Sequence, residues 1–119
     1  MKHLHRAKCL SAYEGARIVL KQGMVYPAYM LLKEAARGVL SYMAEDFLDK
    51  EISEKSKLTN LIDILGDTML NEKQKDGIKI LIDAEKSGLD GILVLDVNDM
   101  YVVKRAVKSL IIEVFKEPV

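Results

Sequence analysis

Apolar side chains recur every three or four positions along most of this chain. From Met1 to Gln22, apolar or small residues fall at Leu4, Ala7, Leu10, Tyr13, Ala16 and Val19/Leu20. That spacing draws one stripe along an amphipathic helix. Gly23 ends it, in the role of a left-handed C-terminal cap. Pro27 suits the first turn of a second helix, where its missing N–H costs nothing. This second helix runs to about Asp49. It carries one apolar strip at Ala28, Leu31, Leu32, Ala35, Val39 and Tyr42, widened by Tyr29, Ala36, Leu40, Met43 and Phe47. So broad an arc predicts the most buried element, touched by several neighbours.

The remainder divides into shorter pieces. Glu51 to Lys57 is polar and reads as a loop, with Ser56 placed to cap a short third helix through Leu58, Leu61, Ile62 and Leu65, closed by Gly66. Asn71 followed by Gln74 forms a capping box for a fourth helix through Ile78, Leu81 and Ile82, stopped by Gly88. Between Leu89 and Val97, the run Ile92, Leu93, Val94 and Leu95 is too short for a helix and too apolar for a free loop, so it is expected to lie against something. It either closes the end of the bundle or forms a partner surface. Asp96 or Asn98 then caps a last helix through Val103, Ala106/Val107, Leu110 and Val114. Short connections make successive helices antiparallel neighbours. The expected fold is all-α: an antiparallel up-and-down four-helix bundle with one extra short helix, in a single domain over residues 1–119.

Composition agrees with a folded domain. Of 119 residues, 50% are hydrophobic and 30% charged, with 18 basic and 18 acidic side chains cancelling exactly in formal charge. A neutral chain has no long-range attraction to polyanions as a whole. The distribution is uneven, however. Residues 1–40 hold seven basic and two acidic side chains, residues 41–99 hold seven and fourteen, and residues 100–119 hold four and two. One cysteine excludes an internal disulfide and a cysteine-only zinc site. The longest charge-free stretch, Gln22 to Leu32, is eleven residues, too short to span a bilayer. Charges at the start leave no cleavable signal pattern, so a cytoplasmic protein is expected.

Four constellations bear on chemistry. His3, His5 and Cys9 are the soft ligands, His5 and Cys9 one helical turn apart; the trio reads as a three-ligand surface metal site or, with no fourth ligand, as a polar helix start with one small buried or half-buried thiol. The aspartates lack the alternation of a calcium loop and fit capping and solvation instead. No metal or cofactor is expected. Tyr26, Tyr29, Lys33 and Arg37 on the second helix, with Lys104, Arg105 and Lys108 on the last, would make a cationic and aromatic patch if those helices were adjacent, fit for a nucleotide phosphate and a stacked base. The same side chains also read as solvated helix faces and core tyrosine. Basic and acidic regions on one molecule suit self-association too.

The segment from Arg6 to Leu48 carries a resemblance. Ala7, Ala12 and Ala16 lead into Val19-Leu20-Lys21-Gln22-Gly23-Met24-Val25-Tyr26, followed by Ala28, Tyr29, Leu32, Ala35, Ala36 and Leu40. This resembles the HEPN domain family, helical bundles in which an alanine-rich first helix ends in a leucine–glycine–tyrosine turn before an alanine-rich second helix. Ser56 to Leu65 and Asn71 to Asp83 are similar to that family's third and fourth helices. The resemblance implies a homodimer, and a minimal nucleotidyltransferase as partner in a toxin–antitoxin module. It also implies, in active members, metal-independent ribonuclease chemistry from an arginine and a histidine four to six residues later. Here the histidines, His3 and His5, precede the first arginine, Arg6, and the corresponding window, Ala84 to Asp90, holds neither residue type. The expectation is therefore a non-catalytic partner module, with nucleotide or RNA binding on the second-helix/last-helix patch as the alternative.

Overall fold

A computed structural model describes residues 2–66 and 68–119 as six α-helices, with no strand among the described residues. They are α1 (Lys2–Lys21), α2 (Val25–Leu48), α3 (Leu58–Leu65), α4 (Glu72–Lys86), α5 (Gly88–Leu93) and α6 (Val97–Phe115). At 1.5 Å per residue, α2 is about 36 Å long, nearly the whole of the 38 Å long axis. Its eleven buried residues run from Ala28 to Glu45 and face α1, α3 and α6, as the width of its apolar arc predicts. Phe47 departs from that arc: on the last turn of α2, it faces outward and is 57% exposed.

Side-chain pairings fix the directions of the helices. Lys2 pairs with Asp46 and Gly15 meets Leu31, so α1 and α2 run antiparallel. Gln74 reaches Glu113 while Gly77 meets Ala106, so α4 and α6 do the same. Arg6 pairs with Glu117 at one end of α1, and Lys104 lies among Arg17 and Lys21 at the other, which sets α6 antiparallel to α1 as well. Tyr42 of α2 meets Phe115 of α6 edge-on, ring centroids 4.8 Å apart.

Two glycines set how closely the helix pairs approach. A Cβ at Gly38 would lie 2.8 Å from both the Cβ of Cys9 and the carbonyl of His5, and one at Gly77 would lie 2.3 Å from the Cβ of Ala106. In each case the missing side chain lets one backbone enter the space its partner's side chains would otherwise need. The core is largely aliphatic, with Leu20, Leu32, Leu40, Leu61, Leu81, Val103 and Leu110 all at most 2% exposed, and also takes in the rings of Tyr13 and Tyr29.

Helix ends separate what local chemistry dictates from what packing dictates. Asn71 and Asp96 each close a full capping box, with Gln74 and Asp99 respectively. Ser56 caps nothing: α3 begins after Lys57 without a side-chain cap, and Ser56 donates its backbone N–H to the Ser53 carbonyl in the preceding turn. The segment predicted as an irregular apolar run is instead helical over its first part, α5. The fold has six helices rather than five because Gly88, at φ 64°, turns the chain directly from α4 into another helical turn.

Candidate functional site

The predicted cationic patch is divided by the fold. On α2, Tyr29 is 1% exposed and belongs to the core, where burial raises its phenol above the ordinary value near 10.0. Lys33 stands over the Tyr29 ring at 5.8 Å and pairs with Glu85 of α4 at 3.1 Å. Arg37 pairs with Glu34 one turn back at 3.2 Å. Only Tyr26 projects into solvent, 54% exposed. Each cation predicted on α2 is thus matched by a carboxylate.

On α6 the opposite holds. Among the described residues, Lys104, Arg105 and Lys108 form no ion pair with a carboxylate, and Lys104 faces α1 rather than the predicted residues of α2. Its ammonium lies 5.7 Å from the Tyr101 ring centroid. Its pKa is lowered, first by partial burial and then by the like charges of Lys108, Arg17, Lys21 and Arg105. Arg105 also turns toward α4, lining a surface cavity of about 400 Å³ with Lys73, Asn71, Asp76 and Ser109. It shares a second, shallower depression with Lys108, Ser109, Ile112 and Glu113.

The predicted interface residues also separate. Ile92 and Leu95 pack partly against the core, whereas Leu93 and Val94 are 71% and 79% exposed, with Leu89 at 66% beside them. Within the chain only part of the run lies against the core, because helical periodicity turns part of it inward and the rest outward. Beneath it, Gly91 is buried, and a Cβ there would fall 2.5 Å from that of Ser87.

His5 and Cys9 are both interior. His5 is 2% exposed, and its Nε2 lies 2.8 Å from Glu45 Oε2 and 3.0 Å from the Ile52 carbonyl. Both neighbours are acceptors, so Nε2 carries the proton and donates to them. The Ile52 N–H donates to the same Glu45 oxygen at 3.0 Å. Sequence reasoning missed this node because its members lie 40 and 47 positions from His5, and no local spacing signals them. Burial pushes the Cys9 thiol up to about 12, against a smaller lowering by a hydrogen bond to the Val39 backbone. The buried thiol is therefore held protonated at neutral pH. Among the described residues no cluster of three His, Cys, Asp or Glu side chains is arranged to hold a metal ion, and no helix is long and apolar enough to cross a membrane. The chain matches no family model, and no curated protein or solved structure matches it.

Proposed function

We propose that the chain is a non-catalytic, HEPN-like helical module that acts by binding other proteins: a homodimer, partnered with a minimal nucleotidyltransferase in a toxin–antitoxin-type system. On this reading α1, α2, α4 and α6 form the up-and-down four-helix bundle, and α3 and α5 are short additions to it. Support for the kinship comes from the turn between α1 and α2, where Leu20 is buried, Gly23 adopts φ 73° and α2 presents Ala28, Ala35 and Ala36 to the core. The reading of a non-catalytic module rests on the missing arginine–histidine motif: His5 is committed to Glu45 and Ile52 in the interior, and His3, though exposed, precedes every arginine of the chain.

The observation that carries the binding reading is α5. Leu89 and Leu93 on this six-residue helix, with Val94 at its C-cap, leave three apolar side chains largely in water. Each would gain roughly 1.5–3 kcal/mol on full burial, and a second copy of the chain brings the same apolar side chains to be covered.

Sedimentation velocity at tens of micromolar tests this, because a two-fold contact is isologous and a change at its centre acts twice. The wild type is expected as a dimer, and Leu93→Asp with Val94→Asp as a monomer with an unchanged circular dichroism melt. A wild-type monomer, or a dimer indifferent to both substitutions, overturns the dimer reading. Identifying the gene beside this one, and co-purifying its product, tests the partner. The alternative, nucleotide or RNA binding on a patch shared by α2 and α6, loses its α2 half to the Lys33–Glu85 and Arg37–Glu34 pairs.

A further inference from the structure

A different surface gathers more positive charge than its carboxylates match. Lys104 joins the cations of two helices, since Arg17 and Lys21 of α1 and Lys108 and Arg105 of α6 all act on it. Arg105 then shares a cavity with Lys73 of α4. The result is a basic band crossing α1, α6 and α4, roughly 16–20 Å wide at ordinary interhelical spacings. Elsewhere, Lys2, Arg6, Lys8, Lys33, Arg37 and Lys75 each hold a carboxylate, while Lys50, Lys55, Lys57, Lys79, Lys86 and Lys116 form no ion pair among the described residues; what sets the band apart is the gathering of its cations around Lys104 and Arg105. Within the band, Arg17 alone of the six cations forms an ion pair among the described residues, with Glu14. The other acidic groups near it are Asp76, which lines the α4 cavity, and Glu113, which accepts from Gln74. Crowding like charges is unfavourable, and the cost is relieved when an anion settles among them.

The band has three properties that favour a phosphodiester chain over a compact anion. It is extended across three helices. Its charge is mixed Lys and Arg, which suits phosphate contacts from several directions. The ring of half-buried Tyr101 stands beside its central lysine, offering a face on which an unstacked base can rest.

We propose that the band formed by Arg17, Lys21, Lys73, Lys104, Arg105 and Lys108 binds the backbone of a single-stranded nucleic acid, with Tyr101 as a stacking platform. The inference does not rest on the dimer reading, since it uses α1, α4 and α6 and not α5.

The test is fluorescence anisotropy with a labelled mixed-sequence RNA of about 20 nucleotides, and the same sequence as DNA, titrated with the full chain across a salt series. Binding is expected to weaken steeply with salt, the log–log slope being about −0.7 per phosphate contact, near −3 for four contacts. Lys104→Glu with Lys108→Glu is expected to weaken binding at least about tenfold and to flatten the slope. A charge-matched control, Lys79→Glu with Lys86→Glu on the outer face of α4, is expected to change it less than about threefold. Tyr101→Leu is expected to weaken it about fivefold. Preference between the RNA and DNA arms reports whether the 2′-hydroxyl is read.

Absence of binding at low salt overturns the proposal, as does an equal loss in the control variant. Displacement by polyglutamate as effective as by unlabelled RNA overturns the phosphodiester assignment, and an unchanged affinity for Tyr101→Leu overturns the single-strand assignment. A monomeric protein that binds RNA removes the dimer reading and leaves this one standing; a dimer that binds no nucleic acid does the reverse.

Discussion

His5 and Glu45 lie 40 residues apart in sequence, yet His5 Nε2 approaches Glu45 Oε2 to 2.8 Å in the interior, and the same oxygen accepts the backbone N–H of Ile52. One carboxylate oxygen thereby ties the start of α1, the end of α2 and the loop that leaves it. Replacing Glu45 by Ala strands the buried Ile52 N–H, at a cost of about 1–3 kcal/mol, and leaves His5 Nε2 with the Ile52 carbonyl alone. Chemical denaturation should show Glu45→Ala less stable by about 1–3 kcal/mol, with Glu45→Gln losing less because its amide oxygen still accepts. Equal stability of Glu45→Ala and wild type would refute the node.

The glycine at the α4–α6 seam makes a sharper demand. Gly77→Ala forces a methyl into the Cβ of Ala106, 2.3 Å away, and overpacking of this kind costs about 1–3 kcal/mol. Because the clash is with one methyl, the double variant Gly77→Ala with Ala106→Gly should recover part of the loss. A double-mutant cycle measures this directly, and purely additive effects would place the strain elsewhere.

Alkaline conditions report on Cys9. In the unfolded chain the thiol ionises around its ordinary 9.0, whereas burial holds the folded thiol protonated up to about 12. A folded pKa raised in this way contributes fully below pH 9.0 and is lost as pH rises toward about 12. Stability should fall over that window, on the order of 1 kcal/mol per pH unit at its steepest. Tyr13 and Tyr29, raised by burial from 10.0, act in the same direction at higher pH, so the comparison with Cys9→Ala is cleanest just above pH 9. The variant should show the shallower slope there, and the native thiol should resist a disulfide reagent until the protein unfolds.

Caps provide a graded comparison. Asn71 and Asp96 each accept from the third residue of their helices at 2.8 Å. Alanine at either position should lower thermal stability by about 1 kcal/mol. Ser56→Ala should change it by less than about 0.5 kcal/mol, the ordinary range for a surface substitution. A Ser56→Ala loss as large as that of Asn71→Ala would restore the capping role that the sequence suggests for it.

Those caps also mark how far sequence pattern reaches. Asn71 and Gln74 sit three apart, so their mutual hydrogen bonds are written locally, and the start of α4 is legible without any tertiary knowledge. The same is true of the buried stripe of α2, where the period of Leu32, Ala36 and Val39 matches the observed interior. The end of α2 near Asp49 is read from the sequence, whereas the end of α6 is not: it closes on Lys116 in a left-handed conformation, a residue that carries no strong turn signal. Charge pairing is equally hidden. Lys33 and Lys104 look alike in sequence, and only the placement of Glu85 beside the first, and of Arg17 and Lys21 beside the second, makes one neutralised and the other crowded. The predicted patch is split because Lys33 turns to Glu85 of α4 while Lys104 turns to the cations of α1.

Gly91 gives α5 a property that its length alone would not. Pressed against Ser87 and Ala84 with no space for a methyl group, that short helix is seated on the end of α4 instead of swinging between its two connections. Leu89, Leu93 and Val94 are consequently held out at fixed angles before anything meets them, and whatever docks there finds little conformational freedom left to freeze.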